Sequence, residues 1–238
     1  MLDDAEVRKV LAVVAHPDDV DFSAAGTIAT FTDKGIEVVY CVVTDGDAGG
    51  FDREVDNGGM AELRRAEQRA AAECVGVSDI RFLGYPDGTV EPTLGLRRDI
   101  ARVIRQVRPD RVITMSPERD YERIGRGHPD HRAVGGATLD AVYPDARNPY
   151  AFPELLAEEG LEAWTVREVW LGGPNHNHCV DVTSTIDRKI AALRAHKSQT
   201  GHRADIEDRI RAMLAANARA YGLPEGSYAE LFQVVETA

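Results

Sequence analysis

Short apolar runs and amphipathic stretches alternate along most of this chain. Residues 10–15 (Val-Leu-Ala-Val-Val-Ala) and 38–43 (Val-Val-Tyr-Cys-Val-Val) have the length and β-branched content of buried strands. Between them, residues 22–34 form an amphipathic segment that ends at Gly35, a residue suited to a helix stop. Strand, helix and strand in that order predict a right-handed parallel crossover. Strands that are apolar throughout predict a sheet covered on both faces.

The alternation continues. Residues 45–59 are rich in Gly and Asp without a clear period and read as a loop. Residues 60–75 read as a helix, with Arg64 and Glu67, and Arg65 and Arg69, spaced to share a face. Residues 80–83 read as a third strand closed by the turn Pro86-Asp87-Gly88. A helix over 96–107, a strand over 111–115 and a helix from about 128 to 142 follow. Pro144, Pro149 and Pro153 interrupt the next stretch. Strands over 166–171 and 179–182 flank Gly172-Gly173-Pro174, and a last helix begins near Ser184. Together these predict an α/β fold: one Rossmann-like layered domain with a mostly parallel sheet and flanking helices. No GxGxxG follows the first strand, so nothing points to a dinucleotide.

Composition narrows the function classes. With 40 acidic against 28 basic residues the formal charge is −12, a field that opposes a nucleic-acid backbone. No run approaches the roughly 18 apolar residues of a membrane span, and the opening Met1-Leu2-Asp3-Asp4-Ala5-Glu6 is acidic where a signal peptide is basic. A cytoplasmic protein without membrane insertion is expected; homo-oligomerisation is compatible with the pattern. Cys41, Cys74 and Cys179 form no CxxC and read as free, mostly buried thiols.

Candidate chemistry concentrates in two blocks, Ala15-His16-Pro17-Asp18-Asp19 and His128-Pro129-Asp130-His131, each placed after a predicted strand. Read singly, either block has a plain explanation. Asp18 or Asp19 could cap the next helix and His16 could bond at the strand end; Pro129 and Asp130 suit a helix start. Read together, two histidines and a carboxylate make a three-ligand environment for zinc that leaves room for water or substrate. Asp18 then stands as candidate base, His128 as acid or positive charge, and Asp130 as the group that orients His128 and favours its protonated form.

The ordered set AHPDD at 15–19, Arg64-x-x-Glu67, Phe82-Leu83-Gly84-Tyr85-Pro86-Asp87-Gly88, HPDH at 128–131 and His196-x-Ser198-Gln199 resembles the LmbE-like, or phosphatidylinositol-glycan class L-like, zinc deacetylases. The resemblance runs over about residues 10–200, within one domain taken as 1–238. It implies Zn2+ (or another divalent transition metal) on His16, Asp19 and His131, with Asp18 as general base. It also implies His128 as oxyanion stabiliser with Asp130 as its partner. The implied reaction is removal of an N-acetyl group from a small-molecule amino-sugar conjugate by metal-activated water. A metal-dependent amidase or esterase on a non-sugar molecule is the alternative, and a non-catalytic metal-binding module a more remote one.

Further residues have two readings each. Arg64 matches a substrate-contacting arginine by motif, or pairs with Glu67 within its helix. Asn175, His176 and His178 either line the substrate pocket, hold a second metal or make structural hydrogen bonds. Asp21 reads as structural support in the turn after the first block, His196 and Gln199 as core packing or hydrogen bonding. Trp164 and Trp170 read as core by default, with a sugar platform as the other use.

Overall fold

A computed structural model describes residues 1–51, 56–121, 124 and 127–237. Seven strands form a sheet in the order β3-β2-β1-β4-β5-β7-β6. They are β1 (Lys9–Val14), β2 (Glu37–Thr44), β3 (Asp79–Tyr85), β4 (Arg111–Met115), β5 (Glu168–Gly172), β6 (His178–Asp181) and β7 (Ala229–Glu236). The first five pair in parallel, and β7 runs antiparallel between β5 and β6. The helices are α1 (Asp19–Ser23), α2 (Ala25–Asp33), α3 (Asn57–Cys74), α4 (Leu94–Val107), α5 (Pro129–Asp140), α6 (Pro153–Ala157), α7 (Ile186–Ala195), α8 (Lys197–Thr200) and α9 (Ile206–Ala220). The expected α/β architecture is present.

Strand alternation explains why β1 and β2 are apolar throughout. Leu11, Val13 and Ala15 join Val39, Cys41 and Val43 in a core under α4 and α5. Val10, Ala12 and Val14 join Val38, Tyr40 and Val42 in a second core that includes Ile28 and Ala71, from α2 and α3. Successive side chains leave a strand on opposite faces, so a strand covered on both sides must be apolar at every position. Trp170 is buried in the second core and Trp164 packs against the first, as expected for core residues.

The chain winds from β1 through β2 to β3 on one side, then returns to place β4 on the other side of β1. That reversal opens a crevice at the carboxyl ends of β1 and β4, where α/β sheets place ligands. The two histidine–aspartate blocks follow those strands.

Four features differ from the sequence expectation. The helix expected over 22–34 is broken at Ala24, where α1 ends and α2 starts. The helix expected from Ser184 is two long helices, α7 and α9, separated by the α8 turn. The sequence pattern predicts no strand at β7. The loop expected over 45–59 is open backbone up to Phe51, residues 52–55 lie outside the described residues, and α3 already starts at Asn57, capped by the Asp56 side chain.

Candidate active site

The first block leaves β1 and turns sharply. Asp18 adopts φ 97°, ψ −27°, a left-handed conformation that costs a non-glycine residue ~1–3 kcal/mol. Although Asp18 stands at the N-cap of α1, its side chain makes no capping bond. The capping explanation therefore fails for Asp18, whose carboxylate is left for other work. Asp19, first residue of α1, folds back so that its Oδ2 accepts the His16 backbone N–H at 2.7 Å.

The second block starts α5 as its residues suggest, with Pro129 in the first turn and His128 at the N-cap. Gly135, one turn beyond His131, allows this placement. A Cβ there would lie 2.2 Å from the Met115 carbonyl oxygen, so only glycine lets α5 rest on the end of β4.

Three donor atoms converge between the blocks. His16 Nδ1 is 3.2 Å from His131 Nε2 and 3.3 Å from Asp19 Oδ2, and His131 Nε2 is 3.1 Å from Asp19 Oδ1. Donors each about 2.1 Å from a tetrahedral zinc stand about 3.4 Å apart. The spacing and the N,N,O chemistry both fit a divalent cation of that type. His128 lies alongside, its ring edge-on to His16 with centroids 4.9 Å apart. It offers a nitrogen within 4.8 Å of those of His16 and His131, and a second grouping, His16, Asp87 and Asp130, meets the same limit.

Carboxylates on the far side of His16 set its orientation. Its Nε2 lies 3.0 Å from Asp87 Oδ1 and 3.2 Å from Asp130 Oδ2, which leaves Nδ1 facing Asp19 and His131. A ligating histidine is commonly fixed in this way through its other nitrogen. Burial alone would lower the His16 pKa, but hydrogen bonds to Asp19 and Asp87 outweigh it and raise it to about 10. A cation must therefore displace a proton from this ring. Asp18 moves upward to about 7, first by burial and then by the neighbouring Asp19 charge, against the pull of Arg64. Burial would raise Asp19 as well, but hydrogen bonds and charge from His131 and His16 hold it ionised well below the ordinary carboxylate range.

The expected pairing of Asp130 with His128 is not what forms. The Asp130 carboxylate is buried against the backbone N–H groups of Gly88 (2.7 Å) and Val90 (3.3 Å) and faces His16. His128 meets Asp130 through the backbone: its Nδ1 accepts the Asp130 N–H at 3.2 Å. Burial, then the charges of His16 and His131, lower the His128 pKa. A neutral ring whose Nδ1 accepts must carry its proton on Nε2. His128 is thus a neutral N–H donor, the reverse of the protonated form expected.

Arg64 is buried, and the pairing with Glu67, one of its two readings, is absent. Its Nη1 and Nη2 donate to the Gly46 and Pro17 carbonyls at 3.0 and 2.5 Å, and Nη2 lies 3.3 Å from Asp18 Oδ2. Glu67 instead accepts from the backbone and hydroxyl of Ser198. Arg64 therefore borders the candidate base directly.

The 175–178 segment divides. His176 lines a cleft of about 720 Å³ that also includes Asp19, His131, Met115 and Gly173. Asn175 donates to Glu118, another lining residue. His178 does not reach this cleft. It stacks edge-on against Trp170 and lines a different cavity with Leu2, Asp4 and Lys34. His176 precedes β6, whereas His178 opens it in register with Phe232 of β7. Among the described residues, no cation-binding grouping includes His176 or His178.

His178 serves a test of stability instead. Burial, then the Arg111 charge, lower its pKa below the ordinary 6.5. The unfolded chain binds that proton more readily, so stability falls as pH drops below about 6.5. His178→Gln should lose less stability than the parent between about pH 7.5 and pH 5, read from urea midpoints; equal losses would show that His178 does not contribute.

The sequence marks the turn that carries Asp87 but assigns the residue no role. A Pro-Asp-Gly turn after a strand neighbouring β1's partner carries a positional signal, since both turns open on one sheet edge. Asp21 and His196 appear in the expected structural role: both are fully buried, and His196 Nε2 donates to Asp21 Oδ2 at 2.8 Å. Gln199 donates to Ser198 Oγ at 3.0 Å. No described helix is long and apolar enough to cross a membrane.

Comparison with known proteins agrees with the geometry. The family profile described as GlcNAc-PI de-N-acetylase (PIG-L) matches residues 11–142. Diacetylchitobiose deacetylase of Thermococcus kodakarensis is 36% identical over 195 residues, 82% of this chain and 71% of that protein. A probable N-acetyl-alpha-D-glucosaminyl L-malate deacetylase 2 of Bacillus cereus is 34% identical, over 81% of this chain and 84% of its own length. Among solved structures, the N,N'-diacetylchitobiose deacetylase of Pyrococcus horikoshii in complex with its inhibitor MPG superposes with a TM-score of 0.87 at 29% identity. It covers 98% of this chain and 85% of the other.

Proposed function

Because the chain belongs to the PIG-L family, we propose that it is a metal-dependent hydrolase that removes the N-acetyl group from an N-acetylglucosamine-containing small molecule or glycoconjugate. The observation that carries the reading is the convergence of His16 Nδ1, His131 Nε2 and Asp19 within 3.1–3.3 Å, beside a carboxyl group raised to about 7. His16, Asp19 and His131 would hold the cation, with zinc the choice that their donor chemistry favours. When bound, such an ion supplies a Lewis acid for a carbonyl oxygen and lowers the pKa of water.

The chain's own residues do the rest. Asp18 takes a proton from the attacking water, a task suited to a carboxyl whose pKa lies near neutrality. As the water oxygen bonds to the carbonyl carbon, the Nε2–H of His128 donates to the developing oxyanion. The C–N bond then breaks, Asp18 returns its proton to the nitrogen, and acetate and a free amine leave. Asp130 acts on this sequence by orienting His16, and Arg64 by flanking Asp18. The rest of the substrate would extend into the cleft that His176 lines, where Asn175 bonds the lining residue Glu118.

His128→Ala should lower kcat about 10²–10³-fold with the metal content unchanged; parallel loss of metal would make His128 a ligand. The test of the function is a screen of zinc-replete protein against varied N-acetylglucosamine conjugates, scored for acetate and free amine. Turnover of at least one conjugate is expected. Release of another acid or alcohol from a non-sugar panel, with all amino sugars untouched, would overturn the substrate class.

A further inference from the structure

Asp18 holds its left-handed backbone without the conformational freedom of glycine, and one buried side chain reaches its amide. The Asp18 N–H donates to Gln68 Oε1 at 2.8 Å. Gln68 Nε2 in turn donates to Asp21 Oδ2 at 2.8 Å, and His196 Nε2 donates to that same oxygen at 2.8 Å. Gln68, Asp21 and His196 are each 0% exposed and come from α3, α1 and the junction of α7 with α8. Among the described residues the Gln68 side chain makes no other hydrogen bond, and the Asp21 side chain accepts from no other group.

The order of donors and acceptors gives the network a direction. A glutamine amide fits its site equally well in shape when turned over, so its surroundings decide which end is which. Facing a carboxylate, only the NH2 end can donate, and Oε1 must then point at Asp18. His196 fixes the carboxylate that fixes the amide. Asp21 Oδ1 and His196 Nδ1 have no hydrogen-bond partner among the described residues, but the three bonds that form favour one orientation of the Gln68 amide over the other.

We propose that Gln68, oriented by Asp21 and His196, is a positioning residue that holds the Asp18 backbone in the conformation from which its carboxyl accepts the proton. The inference rests on the reading of Asp18 as that acceptor. It extends the working site to three buried residues, none of which touches substrate, and gives the late His196 a purpose beyond core packing.

Gln68→Met keeps the length of the side chain and removes both hydrogen bonds. Exchange of the Asp18 amide in the metal-free protein should become about tenfold faster or more, since its closed state loses its acceptor. In the zinc-loaded protein kcat should fall about 10–100-fold, the scale of a misplaced reacting group, with KM within about twofold. Gln68→Glu, which with one proton presents the same acceptor and donor, should recover part of both. Unchanged Asp18 exchange and unchanged kcat in a folded Gln68→Met protein would overturn the proposal, as would a folded Gln68→Glu no better than Met. If Gln68→Met does not fold, Asp21→Asn carries the test: it removes the constraint on the amide, and kcat should fall at constant KM, while an unaltered kcat overturns the proposal. Should the parent enzyme turn over no amino sugar, the deacetylase reading fails on its own. The exchange measurement then decides this one.

Discussion

Asp18→Asn is expected to keep its metal and to lose about 10²–10⁴-fold in kcat, the contribution of a positioned general base. Asparagine has nearly the same shape and is among the few residues that tolerate a left-handed backbone, so the turn at φ 97° should persist. The proposed ligand set of His16, Asp19 and His131 does not include this side chain. What disappears is the carboxylate that burial and the Asp19 charge hold at a pKa of about 7. Steady-state acetate release together with metal analysis checks the outcome. Full activity in a metal-loaded Asn variant would remove Asp18 from the mechanism, while loss of metal would recast it as a ligand.

Glu230→Ala should destabilise the fold by ~3–5 kcal/mol, the cost of leaving a buried charge without its partner. Lys189 Nζ lies 2.6 Å from Glu230 Oε1, and both side chains are shielded from solvent. Glu230 also accepts the backbone N–H groups of Gly26 and Thr27 at 3.0 and 2.7 Å. Lys189 donates to the carbonyls of Asp21 and Phe22 at 2.9 and 2.8 Å. One pair thus ties β7 and α7 to the junction of α1 and α2, the segment that follows Asp18 and Asp19. Equilibrium denaturation in urea reads the effect directly. A loss below about 1 kcal/mol would place the pair among those whose attraction merely balances desolvation.

The same pair explains what the sequence concealed. Residues 22–34 have one helical pattern, yet the helix breaks at Ala24 because Glu230, more than 200 positions later, receives the amides that start α2. No local signal announces a cap that arrives from so far away. Strand β7, Ala-Glu-Leu-Phe-Gln-Val-Val-Glu, buries charged Glu230 and leaves Val235 partly exposed, so it lacks the apolar run that marks β1 and β2. The helix expected from Ser184 ends at His196, where φ −80° and ψ 63° leave the helical range and Asp21 holds the imidazole. That break too depends on a distant partner.

The parallel half of the fold was legible for the opposite reason. Strands covered on both faces must be apolar at each position, and β1 and β2 announce themselves by it. The two blocks could be joined because each follows a strand, and strands in a parallel sheet end on one edge. Which atoms meet there was less legible. Spacing suggested that Asp130 serves His128, but the chain turns its carboxylate onto His16, where the Pro86-Asp87-Gly88 turn adds a second. His178 shows the limit of proximity in sequence: two residues from His176, it belongs to another cavity.

The proposed function requires one metal centre, assembled from both blocks, for hydrolysis of an N-acetyl group. The most direct test follows acetate and free amine released from an N-acetylglucosamine conjugate by the chelator-stripped protein as zinc is added back. The two products should appear in equal amounts, and the rate should rise with zinc to a plateau at about one ion per chain. Zinc bound at that stoichiometry with no acetate released from any conjugate would contradict the account, as would acetate release at full rate from the stripped protein.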